Sequence, residues 1–288
     1  MVMLLERVGV VGCGLMGSGI AETALRGGLD VTVCEASLAA CDAGQARIRS
    51  SVERAVRAGK LAADDATTAL ERLTFSTDLA DLADCQLVVE AVTESEQEKK
   101  DVFAMLDKVV EDPQAILASN TSAIPIMKLA MATRRPEQVI GLHFFNPVPV
   151  LRLVEVVPSL LSSAETIART EAIATEAFGK RVVRSQDRAG FVVNALLIPY
   201  LLSAVRMLES GFATAEDIDA GMVEGCAHPM GPLALTDLIG LDTTMAVAES
   251  LYEEFKEPLY APPPMLSRMV DAGLLGRKTG RGFYSYAR

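Results

Sequence analysis

Two histidines, His143 and His228, are all that this 288-residue chain offers to a reaction needing a base that titrates near neutrality. His143 stands in Gly141-Leu142-His143-Phe144-Phe145-Asn146-Pro147, at the end of an apolar run, and Glu155 follows between Leu153-Val154 and Val156-Val157. A carboxylate among apolar residues is costly unless it is paired. Two arrangements meet that demand. Either Glu155 accepts a hydrogen bond from one ring nitrogen of His143, fixing its tautomer and leaving the other nitrogen to exchange a proton with a hydroxyl, or it lies on a solvated strand face. Spacing alone does not choose between them. His228, in Ala227-His228-Pro229, is the rival base, and its place at a helix end before a proline favours a structural role.

The second constellation opens the chain. An apolar run from Arg7 to Val11 passes directly into Gly12-Cys13-Gly14-Leu15-Met16-Gly17, and a helical pattern continues to about Arg26. Gly12 permits a tight turn, Gly14 lets backbone approach a pyrophosphate, and Gly17 lets the helix pack closely on the strand, so the phosphates rest on a positive helix N-terminus. Glu35 closes the next strand, where a carboxylate accepts from both ribose hydroxyls and repels a 2′-phosphate. The expected cofactor is therefore NAD rather than NADP, with Leu15 and Met16 among its contacts.

These residues need a scaffold, and the first ~185 residues supply one by alternating short β-branched runs with helical patterns, the sign of βαβ units. The expected strands are Arg7–Val11, Val31–Cys34, Leu87–Ala91, Ala115–Ala118, Val139–Phe144, Leu153–Val157 and Arg181–Arg184. Between them, Gln97–Val110 places Val102, Phe103, Leu106 and Val110 on one helical stripe. After Ser185 strands vanish, and Ala189–Leu208, Thr214–Glu224, Leu233–Phe255 and Pro264–Ala272 read as helices. Thr214 with Asp217 resembles an N-cap, and Gly211 and Gly273 sit where helices end. The fold class is thus α/β: an N-terminal Rossmann-type, doubly wound and mostly parallel sheet over residues 1–186, and a smaller all-helical domain over 187–288. A ligand crevice beyond the strands' carboxyl ends puts His143 within reach of the cofactor.

Half of the residues are apolar, enough for a sizeable core, and a net charge of −11 argues against a nucleic-acid partner. Five cysteines form no CxxC pair, which suits a reducing, cytoplasmic setting, and Cys226 with His228 falls short of a metal ligand set. No metal is expected. Glu6-Arg7 running into Val8–Val11 has no signal-peptide layout, so a mature start is expected. Phe191–Leu208 contains Asn194, Pro199 and Arg206 and reads as a buried or interfacial helix, not a membrane span.

Seven stretches in order carry a family resemblance: Gly12-Cys13-Gly14-Leu15-Met16-Gly17, Val89-Glu90-Ala91-Val92, Ala118-Ser119-Asn120-Thr121-Ser122, His143-Phe144-Phe145-Asn146-Pro147, Gly190-Phe191-Val192-Val193-Asn194, His228-Pro229-Met230-Gly231-Pro232 and Lys278-Thr279-Gly280-Arg281-Gly282-Phe283-Tyr284. With them the chain resembles, from end to end, the short monofunctional 3-hydroxyacyl-CoA dehydrogenases, particularly the bacterial 3-hydroxybutyryl-CoA type. The resemblance implies hydride transfer at C3 of an acyl-CoA, with His143 and Glu155 as the catalytic pair and Ser122 and Asn194 bonded to the reacting oxygen. It further implies that Glu94, Lys99, Asn146 and Lys278 touch NAD, although each alone would pass as a surface residue or cap. Two departures stand out: Glu35 replaces a common Asp, and Ala123 stands where a second Ser often follows Ser122.

Arg47, Arg49, Arg54, Arg57 and Lys60 cluster on residues 46–60 with only Glu53 opposing them. In an acidic chain such a helix either presents an ordinary solvated face or receives the phosphates of coenzyme A, as a similar helical excursion does in the family. Ser51 and Arg54 are the residues expected there. The helical domain is expected to supply a cleft wall and, through a face such as Ala195–Leu202, a homodimer contact. The competing readings are a related hydroxy-acid or sugar-acid dehydrogenase and a catalytically silent nucleotide-binding relative; the basic helix and Ser122 argue against the first, the complete constellation against the second.

Overall fold

The computed structural model describes residues 5–286, and the chain divides into two compact units with the break between Arg188 and Ala189. In the first unit the described strands are β1 Arg7–Val11, β2 Asp30–Cys34, β3 Leu73–Ser76, β4 Leu87–Glu90, β5 Ile116–Ser119, β6 Val139–Phe144, β7 Leu153–Pro158 and β8 Arg181–Arg184. They form one sheet in the order β3-β2-β1-β4-β5-β6-β7-β8. Helices α1 Leu15–Arg26, α2 Leu38–Arg57, α3 Ala63–Glu71, α4 Glu96–Val109, α5 Ile126–Ala130 and α6 Ala164–Ala172 connect them. The seven expected strands are present, each end within one residue.

β3 escaped the sequence reading. Its Leu-Thr-Phe-Ser lies half-exposed at the sheet edge, so no continuous apolar run marks it. Central strands behave in the opposite way. All four residues of β4 and all six of β6 are buried, because helices cover both faces of a parallel sheet. Val8, Val10, Val31, Val33, Leu87 and Val89 are at most 1% exposed; removing each from water stabilises the fold by about 2 kcal/mol.

Two topological features place the chemistry. The chain leaves β3 at the edge and returns beside β1 as β4, so a crevice opens at the carboxyl ends of β1 and β4. Neighbouring strands pair in parallel except β6 with β7, whose antiparallel register sets His143 directly opposite Glu155. Residues opposite one another on an antiparallel pair share a face.

The second unit is helical: α7 Val193–Glu209, α8 Ala215–Cys226, α9 Pro232–Ile239, α10 Leu241–Phe255 and α11 Pro264–Asp271. Its core holds Ile198, Leu202, Val205, Leu233, Leu241, Leu251 and Leu266. Two expectations are corrected here. The helix expected from Ala189 begins at Val193, because Gly190 and Phe191 have positive φ, a left-handed backbone that no right-handed helix contains. The single helix expected over Leu233–Phe255 is two, broken at Gly240 with φ of 105°. Pro232 starts the first of them at a position where its missing N–H costs nothing, and the Asp219 carboxylate caps it by accepting from the Leu233 and Ala234 amides. Thr214 does cap α8, accepting from the Asp217 amide. Within Ala195–Leu202, Ile198 and Leu202 are buried in the unit's own core, while Leu196 is 73% exposed. Among the described residues no helix is long and apolar enough to cross a membrane.

Candidate active site

β1 delivers the chain into the glycine turn, where each glycine meets a different demand. Gly12 has φ of 86°, and a Cβ there would lie 2.9 Å from the Ala91 carbonyl oxygen. At Gly17 a Cβ would sit 1.8 Å from the Gly12 carbonyl oxygen, so only glycine lets α1 pack this closely. Gly14 faces open space, with nothing within 4 Å of its missing Cβ. No side chain caps the start of α1, and Leu15 beside it is 63% exposed, with Met16 half-buried. An uncapped helix N-terminus behind an unobstructed glycine is an anion cradle. Glu35, at the end of β2, reaches the same turn, accepting from the Cys13 amide and from the Ala36 amide. Cradle and carboxylate together fit a dinucleotide whose pyrophosphate needs N–H donors and whose ribose needs an acceptor.

From the far side of the turn Arg47, on α2, donates to the Cys13 carbonyl oxygen at 2.6 Å. In the sequence Arg47 stands out only as part of the basic cluster. α2 buries Cys41, Gly44, Ile48 and Val52 and leaves its arginines outward. Ser51 is half-buried and Arg54 exposed, its guanidinium donating to the Ser50 hydroxyl.

At the ends of β6 and β7 the His143–Glu155 alternative is decided. Glu155 is fully buried, so the solvated-face option fails, and His143 Nδ1 lies 2.8 Å from Glu155 Oε2. With a carboxylate oxygen as the acceptor, the donor of this bond is Nδ1, which leaves Nε2 in the acceptor role. Ser122 Oγ lies 3.1 Å from Nε2 and is placed to donate to it. Phe145 holds the ring edge-on at 4.7 Å between centroids. One acceptor nitrogen and one hydroxyl thus converge where a substrate oxygen would exchange a proton.

The loop bearing Ser122 is itself held. The Glu94 carboxylate accepts from the Ser122 amide at 3.1 Å and from the Thr121 hydroxyl, and Asn120 Oδ1 accepts from the Phe144 amide at 2.9 Å, tying the loop to β6. Lys99 is no surface residue. It is 1% exposed and bonded to the fully buried Glu90 at 2.6 Å, with Glu94 Oε2 3.3 Å away. Asp187 caps α5, just beyond that loop, accepting from the Ile126 and Met127 amides. Asn146, exposed, follows β6.

The first unit therefore brings together His143, Glu155, Ser122, Glu94 and Lys99, and separately the glycine turn with Glu35. Asn194 and Lys278 belong to the second unit. Asn194 is half-buried in the first turn of α7, and Lys278 pairs with Asp242, whose carboxyl burial pushes up but Lys278 and backbone amides hold below its usual range. His228, also in the second unit, lies 3.1 Å through Nδ1 from the Tyr200 hydroxyl. Glu90 carried no role in the sequence reading, yet the signal used for Glu155 was present: a carboxylate closing the apolar run Leu87-Val88-Val89. Two surface cavities of the first unit, about 400 and 420 Å³, touch none of these residues.

Comparison with known proteins gives a consistent result. The model of the 3-hydroxyacyl-CoA dehydrogenase NAD binding domain matches residues 7–188, and that of the C-terminal domain of the same family matches residues 190–286. The chain is similar to a 3-hydroxybutyryl-CoA dehydrogenase of Mycobacterium tuberculosis, 61% identical with 98% of this chain and 99% of that one covered. Among solved structures it is similar to FadB2 of M. tuberculosis, with a TM-score of 0.98, 60% identity and 99% and 100% of the two chains covered. It is also similar to (S)-3-hydroxybutyryl-CoA dehydrogenase from Ralstonia eutropha, with a TM-score of 0.94, 45% identity and coverage of 99% and 100%.

Proposed function

The chain belongs to the 3-hydroxyacyl-CoA dehydrogenase family of NAD-dependent oxidoreductases, and from that premise we propose that it interconverts 3-hydroxybutyryl-CoA and acetoacetyl-CoA with His143 as general acid and base. The observation that carries the reading is the buried His143–Glu155 bond at 2.8 Å with Ser122 at the opposite ring nitrogen. NAD, when bound, supplies the two-electron acceptor for the hydrogen at C3. The residues placed to hold it are Gly12, Gly14, Leu15, Met16 and Gly17 at the pyrophosphate and Glu35 at the ribose, with Glu94, Lys99, Asn146 and Lys278 carried from the family pattern.

In the oxidative direction Nε2 of His143 accepts the proton of the 3-hydroxyl. Glu155 then faces a full positive charge and stabilises it. Ser122 donates to the same oxygen and offsets the charge that develops as its proton leaves. In reduction the imidazolium returns the proton to the ketone oxygen. Asn194 is proposed as a second donor to that oxygen, and Ser51 and Arg54 as ligands of the coenzyme A phosphates. A homodimer and a cytoplasmic location complete the reading.

The test follows NADH absorbance with acetoacetyl-CoA, longer 3-ketoacyl-CoAs and free acetoacetate. Turnover of the four-carbon thioester, decline with chain length and none with the free acid support the reading. Efficient reduction of free acetoacetate, or inertness toward every thioester, contradicts it.

A further inference from the structure

We propose that Glu90, at the carboxyl end of β4, is a positioning residue that holds the loop presenting Ser122; the proposal rests on the role of Ser122 given above. Glu90 is fully buried, and each bond made to its carboxylate comes from a donor. Oε1 accepts from the Val92 amide at 2.7 Å and from Lys99 Nζ at 2.6 Å, and Oε2 accepts from the Ser119 hydroxyl at 2.7 Å. Three donors converging on one group call for an ionised carboxylate; a glutamine turns one of its two acceptor positions into a donor and leaves Lys99 without its buried counter-charge.

From this root one branch reaches Thr121, and a second reaches both Thr121 and Ser122. Along the first, Ser119 Oγ accepts from the Thr121 amide at 3.2 Å. Along the second, Lys99 approaches Glu94, and Glu94 accepts from the Thr121 hydroxyl and the Ser122 amide. The first branch fixes the backbone just before Ser122, and the second fixes the backbone of Ser122 itself. Its hydroxyl then meets His143 Nε2. A third feature points to the cofactor turn, since the Val92 amide held by Glu90 is among the atoms that a Cβ at Gly12 would meet, at 3.0 Å. Strand register supports the placement: Glu90 lies between Val11, the last residue before the glycine turn, and Ser119, the last of β5. One buried side chain at the topological switch point thus bonds to Ser119, which leads into the Ser122 loop, and to Val92, beside the glycine turn.

The role is through Ser122 and not by contact with substrate, so it is tested by a double-mutant cycle on kcat at saturating acetoacetyl-CoA and NADH. E90Q is expected to lower kcat about fivefold in the otherwise native enzyme and by less than about 1.5-fold in an S122A background, because a loop with no hydroxyl to aim has nothing left to lose. The melting temperature should fall equally in both backgrounds, which separates positioning from a loss of stability. If E90Q does not fold, E90D, which keeps the charge that pairs with Lys99 but shortens the reach to Ser119 and the Val92 amide, enters the same cycle. Equal fractional losses of kcat with and without the Ser122 hydroxyl overturn the proposal. An S122A enzyme with native turnover fails differently: it removes the reading of Ser122, and this proposal with it.

Discussion

The imidazole of His143 ends a buried strand of the first unit and donates from Nδ1 to a carboxylate, whereas that of His228 follows a helix of the second unit and meets the Tyr200 hydroxyl. Burial, and after it the negative field of Asp219, holds the Tyr200 phenol above its usual range, so His228 faces a neutral partner. Only His143 has a partner whose attraction grows when the ring gains a second proton. The contrast teaches that the group on the far nitrogen decides whether a histidine is suited to act as a base, and that this group is supplied by the fold. His143 obtains its carboxylate because β7 runs antiparallel to β6; a parallel strand would not have set Glu155 opposite it in this hairpin.

The largest effect expected from this contrast is on His143 itself: H143Q should lower kcat by about 10³-fold while the melting temperature stays near native, a result read from NADH-linked turnover and thermal unfolding. E155Q keeps the shape of the pair but removes the charge, and a loss of about 10²-fold in kcat with a smaller change in KM is expected. S122A should cost about tenfold, less than an isolated oxyanion donor is worth, because the imidazolium donates to the same oxygen. H228Q should leave kcat within about twofold, as expected for a residue outside the chemistry; a loss comparable to that of H143Q would abolish the distinction between the two. The smallest effect concerns Cys226, two positions before His228 and the exposed cysteine among the described residues. Its alkylation should leave turnover unchanged, while burial, which pushes the Cys13 thiol up to about 12, keeps the cysteine of the glycine turn unreactive. Mass spectrometry of the labelled enzyme checks both points.

Local rules made much of this legible from the sequence. The glycine turn, the bounds of β1, β6 and β8 and the identity of both histidines follow from short-range pattern. What escaped was set by contacts distant in the chain. Spacing left the state of Glu155 open because the answer lies in strand direction, which neither segment encodes alone. Lys99, in Glu96-Gln97-Glu98-Lys99-Lys100-Asp101, reads as part of a solvated charge run, yet Glu90 and Glu94 draw it inside. Gly240 interrupts an apolar helical period that periodicity alone would carry through, since the period does not register a single residue of positive φ. Asn120 gained a role only when β5 and β6 came to lie side by side, and Thr121 when the segment after β4 brought Glu94 to it.

A chain with two histidines permits a direct view of the central claim, that a carboxylate fixes which nitrogen of His143 stays bare. Nitrogen-15 NMR of histidine-labelled protein, with H228Q used to assign the signals, reports the tautomer of each ring. The expected result is a neutral His143 ring with its proton on Nδ1 and Nε2 unprotonated, an arrangement lost in E155Q. A proton resident on Nε2 of the neutral ring, or a tautomer indifferent to E155Q, would contradict the account.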